Sequence, residues 1–240
     1  MNTEEPTRAT VDARDDDRLS TFAPGSNVLV RGTSLAGKRT LGMALLAALP
    51  TDERPIVLSA AADVATLQRR LAATGDATMS DRWYVVDAVR SQVDGGTIAC
   101  TDGGDRRTWY VTSPSDLTGL GMSTSRAVSA IVEGGDRPRL LVDSLSTLLQ
   151  YSSLERVYRF LHVLNGRMAA VGGVTLQVLH SDAHDAQTVG TLAHLFDTVL
   201  DVRTEDGVPV VVRTGTGGES AVPMTDLLAG LATGEPTPAV

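Results

Sequence analysis

The clearest chemical signal in the sequence is a glycine-rich loop that ends in a lysine. Residues 32–38, GTSLAGK, fit the pattern G-x-x-x-x-G-K between a hydrophobic run and an alanine- and leucine-rich segment. Such glycines let the backbone wrap around a phosphate with its N–H groups inward, and the lysine reaches the terminal phosphates. The loop predicts a nucleotide-phosphate site made of Gly32, Thr33, Ser34, Leu35, Ala36, Gly37, Lys38, Arg39 and Thr40. An ordinary strand-turn-helix with glycines in its turn is the alternative.

Lys38 is the one lysine in a chain with 21 lysines and arginines in total. A slender ammonium can enter a ring of backbone N–H groups, whereas the broad, planar guanidinium of arginine fits such a ring differently. Retention of a lysine here, in a chain that otherwise uses arginine, favours the phosphate-site interpretation over a simple turn.

The magnesium-binding part of this pattern is incomplete. The position after the lysine normally carries a Ser or Thr whose hydroxyl binds Mg²⁺, but here it is Arg39, and Thr40 lies about 100° further round the predicted helix. Asp143 ends the hydrophobic run RPRLLVD, where the C-terminal end of a parallel strand would face the same crevice, so it is the predicted metal ligand. The alternative is that Asp143 or Ser144 caps the next helix.

The composition limits the classes of partner and compartment. Acidic residues give a net charge of -8 and a pI near 4.9, and this Asp-rich, Lys-poor balance resembles that of proteins from salt-loving archaea, with acidic solubility as the alternative. The charge argues against binding to a nucleic-acid backbone, which needs clustered cations. Cys100 is the only cysteine, and no apolar run approaches the length of a membrane span. We therefore expect a cytoplasmic protein without membrane contact.

Alternating strand and helix patterns predict a mostly parallel sheet with helices on both faces. Residues 1–20 and 231–240 read as flexible tails around one domain at 21–230, and the segment 208–224 reads as a C-terminal β-hairpin that turns at Gly217-Gly218. The predicted strands are 27–31, 56–59, 82–87, 139–143, 175–180 and 198–203, and the predicted helices are 38–49, 63–73, 123–133, 154–171 and 187–196.

Five segments in order resemble the RecA/KaiC-like group of P-loop ATPases. They are GTSLAGK, LSAAADVATLQRRL, SPSDLTGLGMSTSRAVSAI, RLLVDSLSTLL and VTLQVLHSDAHDAQTVGTLAHLFDTVLDVR, and the resemblance covers residues 22–224. It implies a RecA-like P-loop NTPase fold, ATP as the nucleotide, and magnesium held at Asp143. The chain is similar to a divergent haloarchaeal member of that group.

The segment after the second predicted strand departs from that group. Members that hydrolyse ATP often carry one or two glutamates there, and this chain has Ala61 and Ala62 followed by Asp63. The resemblance thus implies an ATP-binding regulatory or signalling protein with weak or absent hydrolysis, acting with a protein partner or as a homo-oligomer. The alternatives are an active oligomeric ATPase of the same group and, disfavoured by the acidic charge, a DNA-recombination factor.

Two further groups have open interpretations. His180, Asp182 and His184 follow the fifth predicted strand and are either zinc ligands or solvated loop residues. The segment GGDRR at 103–107 is expected to form a hairpin tip.

Overall fold

Runs of β-branched and leucine residues form the strands of one ten-stranded sheet. The structure is a computed structural model that describes residues 21–72, 82–89, 101–102, 107–215 and 218–233. The predicted tail at 1–20, residues 103–106 of the predicted hairpin tip, Gly217 of the predicted C-terminal turn and residues 234–240 lie outside that range. The strands are β1 Asn27–Gly32, β2 Glu53–Ser59, β3 Tyr84–Asp87, β4 Thr101–Asp102, β5 Thr108–Tyr110, β6 Arg137–Asp143, β7 Val174–His180, β8 Thr198–Glu205, β9 Val208–Gly215 and β10 Gly218–Pro223.

Some of the helices begin where a short polar side chain satisfies one of their first N–H groups. Asp116 accepts a hydrogen bond from the Gly119 N–H at 2.8 Å, and Asp185 accepts one from the Thr188 N–H at 2.6 Å. The helices are α1 Lys38–Ala47, α2 Val64–Ala72, α3 Leu117–Glu133, α4 Leu145–Tyr151, α5 Leu154–Ala170, α6 Ala186–Ala193 and α7 Met224–Thr233, with a 3₁₀ turn at Ser181–Ala183.

The strand order places the ends of four strands at one edge of the sheet. The order is β10-β9-β8-β1-β7-β6-β2-β3-β5-β4, and β8, β1, β7, β6, β2, β3 and β5 pair in parallel. The parallel centre and the antiparallel β9–β10 hairpin confirm the predicted α/β architecture. Because parallel strands share one direction, the segments after β1, β2, β6 and β7 meet at the same edge.

The sheet is buried on both faces because successive side chains of its central strands point to opposite sides. Val28 and Val30 of β1 pack with Leu41 and Leu45 of α1 in one core, and Leu29 belongs to the core on the other face. The described helices include none that is both long and apolar enough to cross a membrane.

Several elements differ from the predictions. Helix α3 begins at Leu117 rather than at 123, since Gly119 and Gly121 weaken the helical pattern of its first turns. Strand β8 pairs antiparallel with β9, so the C-terminal hairpin extends one edge of the sheet, as the sequence predicts. The predicted flexible segment 231–240 begins inside α7, which ends at Thr233. Strands β4 and β5 pair antiparallel.

Candidate anion-binding loop between β1 and α1

The loop that joins β1 to α1 needs glycine at both of its ends. A Cβ atom on Gly32 would lie 2.5 Å from the carbonyl oxygen of Val202 in β8, which is closer than real Cβ contacts allow. Gly37 has a φ of +92°, and a Cβ there would lie 2.7 Å from the Cε of Met224. A side chain at Gly32 would push the loop away from β8, and one at Gly37 would be strained by the left-handed backbone there, so the glycines fix the path of the loop.

Lys38, the first residue of α1, is buried to 2% exposure. Its ammonium Nζ donates a hydrogen bond to the Thr33 carbonyl oxygen at 2.5 Å, across the loop. Burial lowers the pKa of Lys38 below its ordinary value, Asp182 and Asp143 act in the opposite direction, and Arg39 adds to the lowering. The structure thus places a partly desolvated cation against the backbone of the loop.

A carboxylate lies on the outer side of the same loop. The Ser34 N–H donates to both side-chain oxygens of Asp182, at 3.0 and 2.9 Å. These bonds to Ser34 are the largest cause of a lowered pKa at Asp182, with a smaller contribution from the charge of Lys38. The loop backbone is therefore already oriented to bind an anion.

Asp143 is fully buried at the end of β6, and two arginines bind it. Arg39 Nε lies 2.8 Å from its Oδ1, and Arg70 NH1, on α2, lies 3.5 Å from its Oδ2. Arg39 therefore bonds with the carboxylate that the sequence predicts as the metal ligand, and Thr40 is exposed. Arranged in this way, these side chains do not fit a magnesium ion at Asp143. Guanidinium groups supply the positive charge beside this carboxylate instead.

Of the two residues that the sequence allows as the cap of α4, Ser144 forms the cap and Asp143 does not. Ser144 is the N-cap of α4, and its hydroxyl accepts a hydrogen bond from the Thr147 N–H at 3.3 Å. The Asp143 side chain bonds with arginines and not with the helix N-terminus. The carboxylate thus faces the loop between β1 and α1, while the serine satisfies the helix.

The two alanines after β2 occupy different environments. Ala62 is 5% exposed and belongs to the core, and its backbone exchanges hydrogen bonds with the Ser59 hydroxyl. Ala61 is exposed. Since Ser59 pairs in register with Asp143, this segment lies beside the carboxylate.

The histidines after β7 contact a buried serine. The Ser146 hydroxyl accepts a hydrogen bond from the His180 N–H and lies 2.9 Å from His184 Nε2. Burial is the main cause that lowers the pKa of both imidazoles, and Lys38 and Arg39 lower that of His180 further. Within the described ranges, no three His, Cys, Asp or Glu side chains are placed to hold a metal ion, which argues against the zinc alternative.

Two members of this site cannot be assigned to it from the sequence pattern. Arg70 is 73 residues from Asp143, and its helical pattern indicates only an amphipathic helix. Asp182 is 148 residues from Ser34, and the pattern around it indicates only a zinc ligand or a solvated residue. The one feature of the sequence that could have indicated this role is position. Asp182 follows a strand whose C-terminal end meets the loop at the same edge of the sheet.

Comparisons with known proteins identify the family and the fold. No curated protein matches the sequence. Among solved structures, the chain is similar to the uncharacterized protein PH0321 from Pyrococcus horikoshii, crystallised in complex with an unknown peptide. The identity is 13%, the match covers 84% of this chain and 88% of that chain, and the TM-score is 0.61, so the two share a fold. The sequence model of a family of unknown function, DUF7504, matches residues 25–202. The chain therefore belongs to the DUF7504 family.

Proposed function

We propose that this protein is an ATP-binding regulatory or signalling module of the RecA/KaiC-like P-loop type, with weak or absent hydrolysis. In this proposal the β1–α1 loop and Lys38 bind the nucleotide phosphates, and nucleotide occupancy alters the binding of a partner. The cytoplasm is the proposed compartment.

The observation that carries the proposal is the anion contact at the loop. Ser34 donates its N–H to the Asp182 carboxylate on the loop whose Thr33 carbonyl bonds with the Lys38 ammonium. Phosphate oxygens accept the same kind of charge-assisted hydrogen bond as carboxylate oxygens. A nucleotide phosphate would compete with Asp182 for the Ser34 N–H and with the Thr33 carbonyl for the ammonium.

Arginine takes the place of a metal ion in this proposal. A magnesium ion normally neutralises phosphate charge, and here Arg39 and Arg70 lie at Asp143 with side chains about one third exposed. Their guanidinium groups can bind a second anion because each has N–H donors beyond those that contact Asp143. We propose that the nucleotide binds without a divalent cation.

Weak hydrolysis follows from the missing carboxylate after β2. A water-activating group must lie within hydrogen-bond reach of the attacking water, and neither alanine at 61 nor alanine at 62 can provide one. The Asp143 carboxylate is fully buried and bound by arginines, so it is a poor substitute. Binding without turnover suits a module that reports nucleotide occupancy.

A protein partner is part of the proposal. The similar Pyrococcus horikoshii protein was crystallised in complex with an unknown peptide. For this chain, we propose a protein partner or a second copy whose binding depends on the nucleotide.

Equilibrium titration with a fluorescent ATP analogue in concentrated potassium chloride tests the proposal. We expect Lys38→Ala to bind about tenfold to a hundredfold more weakly, the loss that removal of charge-assisted hydrogen bonds produces. Arg203→Ala removes an exposed cation on β8 and is the matched control. Equal affinity of Lys38→Ala and the wild type, with both proteins folded by circular dichroism, would contradict nucleotide binding at this loop.

A further inference from the structure

A groove runs along the outer surface between α3 and α5, and it shares no residue with the β1–α1 loop. Its volume is about 710 Å³. Both helices bury one side against the sheet in the same core, so the groove lies on their outward sides. We call it the α3–α5 groove; its lining residues used below are Met122, Arg126, Arg156, Arg159, Phe160, Val163 and Arg167.

The floor of the groove is apolar and accessible. Val163 is 71% exposed and Met122 is 56% exposed, both far above what a core side chain shows. Gly121 and Phe160 also line the groove, and a Cβ on Gly121 would make an ordinary van der Waals contact with the Phe160 ring at 3.6 Å. Adjacent apolar side chains left open on a surface commonly mark an interaction site.

The rim of the groove is positive, although the chain as a whole carries a net charge of -8. Its lining includes four arginines and no aspartate or glutamate. Arg126 and Arg156 form no hydrogen bond or ion pair with any other residue that the structure describes. Arg167 reaches the Ser129 hydroxyl at 3.3 Å, and Arg159 pairs with the exposed Glu155 at 2.6 Å. Exposed pairs of this kind exchange partners at little cost.

We propose that the α3–α5 groove binds an amphipathic helix of a partner protein, with apolar residues on one side and acidic residues flanking them. One arginine on α3 and three on α5, beside an apolar floor, complement such a helix in both charge and hydrophobicity. The inference rests on the groove and is independent of nucleotide binding.

The test uses two designed peptides that differ only in charge. Both are fluorescein-labelled helices with leucine at every third and fourth position, and the remaining positions carry glutamate and alanine in one peptide and lysine and alanine in the other. Fluorescence anisotropy should show saturable binding of the acidic peptide to the full chain. The basic peptide should not bind. Concentrated salt should weaken the acidic complex without abolishing it, because the apolar floor is not screened.

Variants locate the binding. Arg126→Glu with Arg156→Glu should abolish binding of the acidic peptide, and Val163→Asn should weaken it without any change in charge. Arg203→Glu, on β8 outside the groove, is the matched control and should bind as the wild type does. Lys38→Ala should also bind the peptide normally, which separates failure of this inference from failure of nucleotide binding.

Three outcomes would overturn the inference. One is equal binding of the acidic and basic peptides, and another is binding that survives both groove variants. The third is a different occupant. The groove would then bind single-stranded DNA, or the chain would self-associate in sedimentation. Arg126→Glu with Arg156→Glu would remove that binding while leaving the affinity for the acidic peptide unchanged.

Discussion

The Asp182 carboxylate binds the Ser34 N–H with both oxygens, at 3.0 and 2.9 Å, on the loop that contains Lys38. Asp182, in the 3₁₀ turn after β7, therefore occupies a donor of the β1–α1 loop that, in the proposed function, binds a nucleotide phosphate. The contact holds the loop in shape, and it also competes with any anionic ligand.

Removal of this carboxylate should tighten nucleotide binding. We expect Asp182→Ala to bind a fluorescent ATP analogue several-fold more tightly, because the Ser34 N–H is released and a negative charge beside Lys38 is lost. Asp52→Ala removes an exposed aspartate before β2, at the opposite edge of the sheet, and is the control. Weaker binding by Asp182→Ala would show that Asp182 supports the loop more than it competes.

Nucleotide binding should not require a divalent cation. We expect the wild type to keep the same affinity for the ATP analogue in magnesium chloride and in EDTA, since Arg39 bonds with Asp143 at 2.8 Å. Arg39→Thr should make the affinity magnesium-dependent, because it frees the Asp143 oxygen and restores a hydroxyl ligand. Arg69→Thr, on the exposed side of α2, is the control. A wild-type affinity that collapses in EDTA would refute the arginine assignment.

Hydrolysis should be slow and should respond to a carboxylate at position 61. We expect turnover far below the roughly 1 to 100 per second of phosphoryl-transfer enzymes such as kinases. Ala61→Glu combined with Arg39→Thr should raise it, since Ala61 is exposed beside Asp143, whereas Ala62→Glu would bury a charge in the core. Phosphate release by purified protein measures this. An ordinary rate in the wild type that Lys38→Ala eliminates would contradict the proposal.

The buried pair of Glu53 and Arg139 should dominate the electrostatic stability of the sheet. Arg139 Nε lies 2.7 Å from Glu53, both side chains are about 5% exposed, and Arg139 also donates to the Leu45 carbonyl. Arg139→Met should lower the free energy of unfolding by about 3 kcal/mol, because it leaves the buried Glu53 carboxylate with only Arg137, at 3.6 Å, as a charged partner. Urea unfolding measures the change.

The exposed pair of Arg159 and Glu155 provides the matched comparison for that measurement. Both side chains are more than 70% exposed, so Arg159→Met should cost less than about 1 kcal/mol. Adding Glu53→Gln to Arg139→Met should recover part of the loss, since the buried charge is then removed. Equal losses at the buried and exposed pairs would contradict this account.

The histidines after β7 should make stability fall in mild acid. Burial lowers the pKa of His180 and His184 in the folded state, so the unfolded chain, with a histidine pKa of about 6.5, binds more protons in this range. The free energy of unfolding should therefore decrease as pH falls below about 6.5, until the folded-state pKa values are reached. Replacement of both by glutamine should flatten this slope in urea titrations. His162→Gln, exposed on α5, should leave it unchanged.

Much of the sheet was predictable because its strands are buried on both faces and read as continuous apolar runs. The glycine loop was predictable because its pattern is local and its chemistry specific. The contacts that define the site were not, since Arg39, Arg70 and Asp143 meet only through the order of β1, β2 and β6. The α3–α5 groove was also hidden, because a sequence shows which side of a helix is polar and not which residues of two helices line one groove.

The contact between Gly37 and Met224 joins a residue inside the family match to one that lies beyond its end. The DUF7504 match ends at residue 202, yet the first residue of α7 forms a wall of the loop, and Val202 itself forms another. The matched stretch is thus shorter than the stretch that packs around the loop. A relative that kept residues 25–202 and exchanged its C-terminal hairpin and helix would keep the sequence of the loop and lose one of the side chains packed against it.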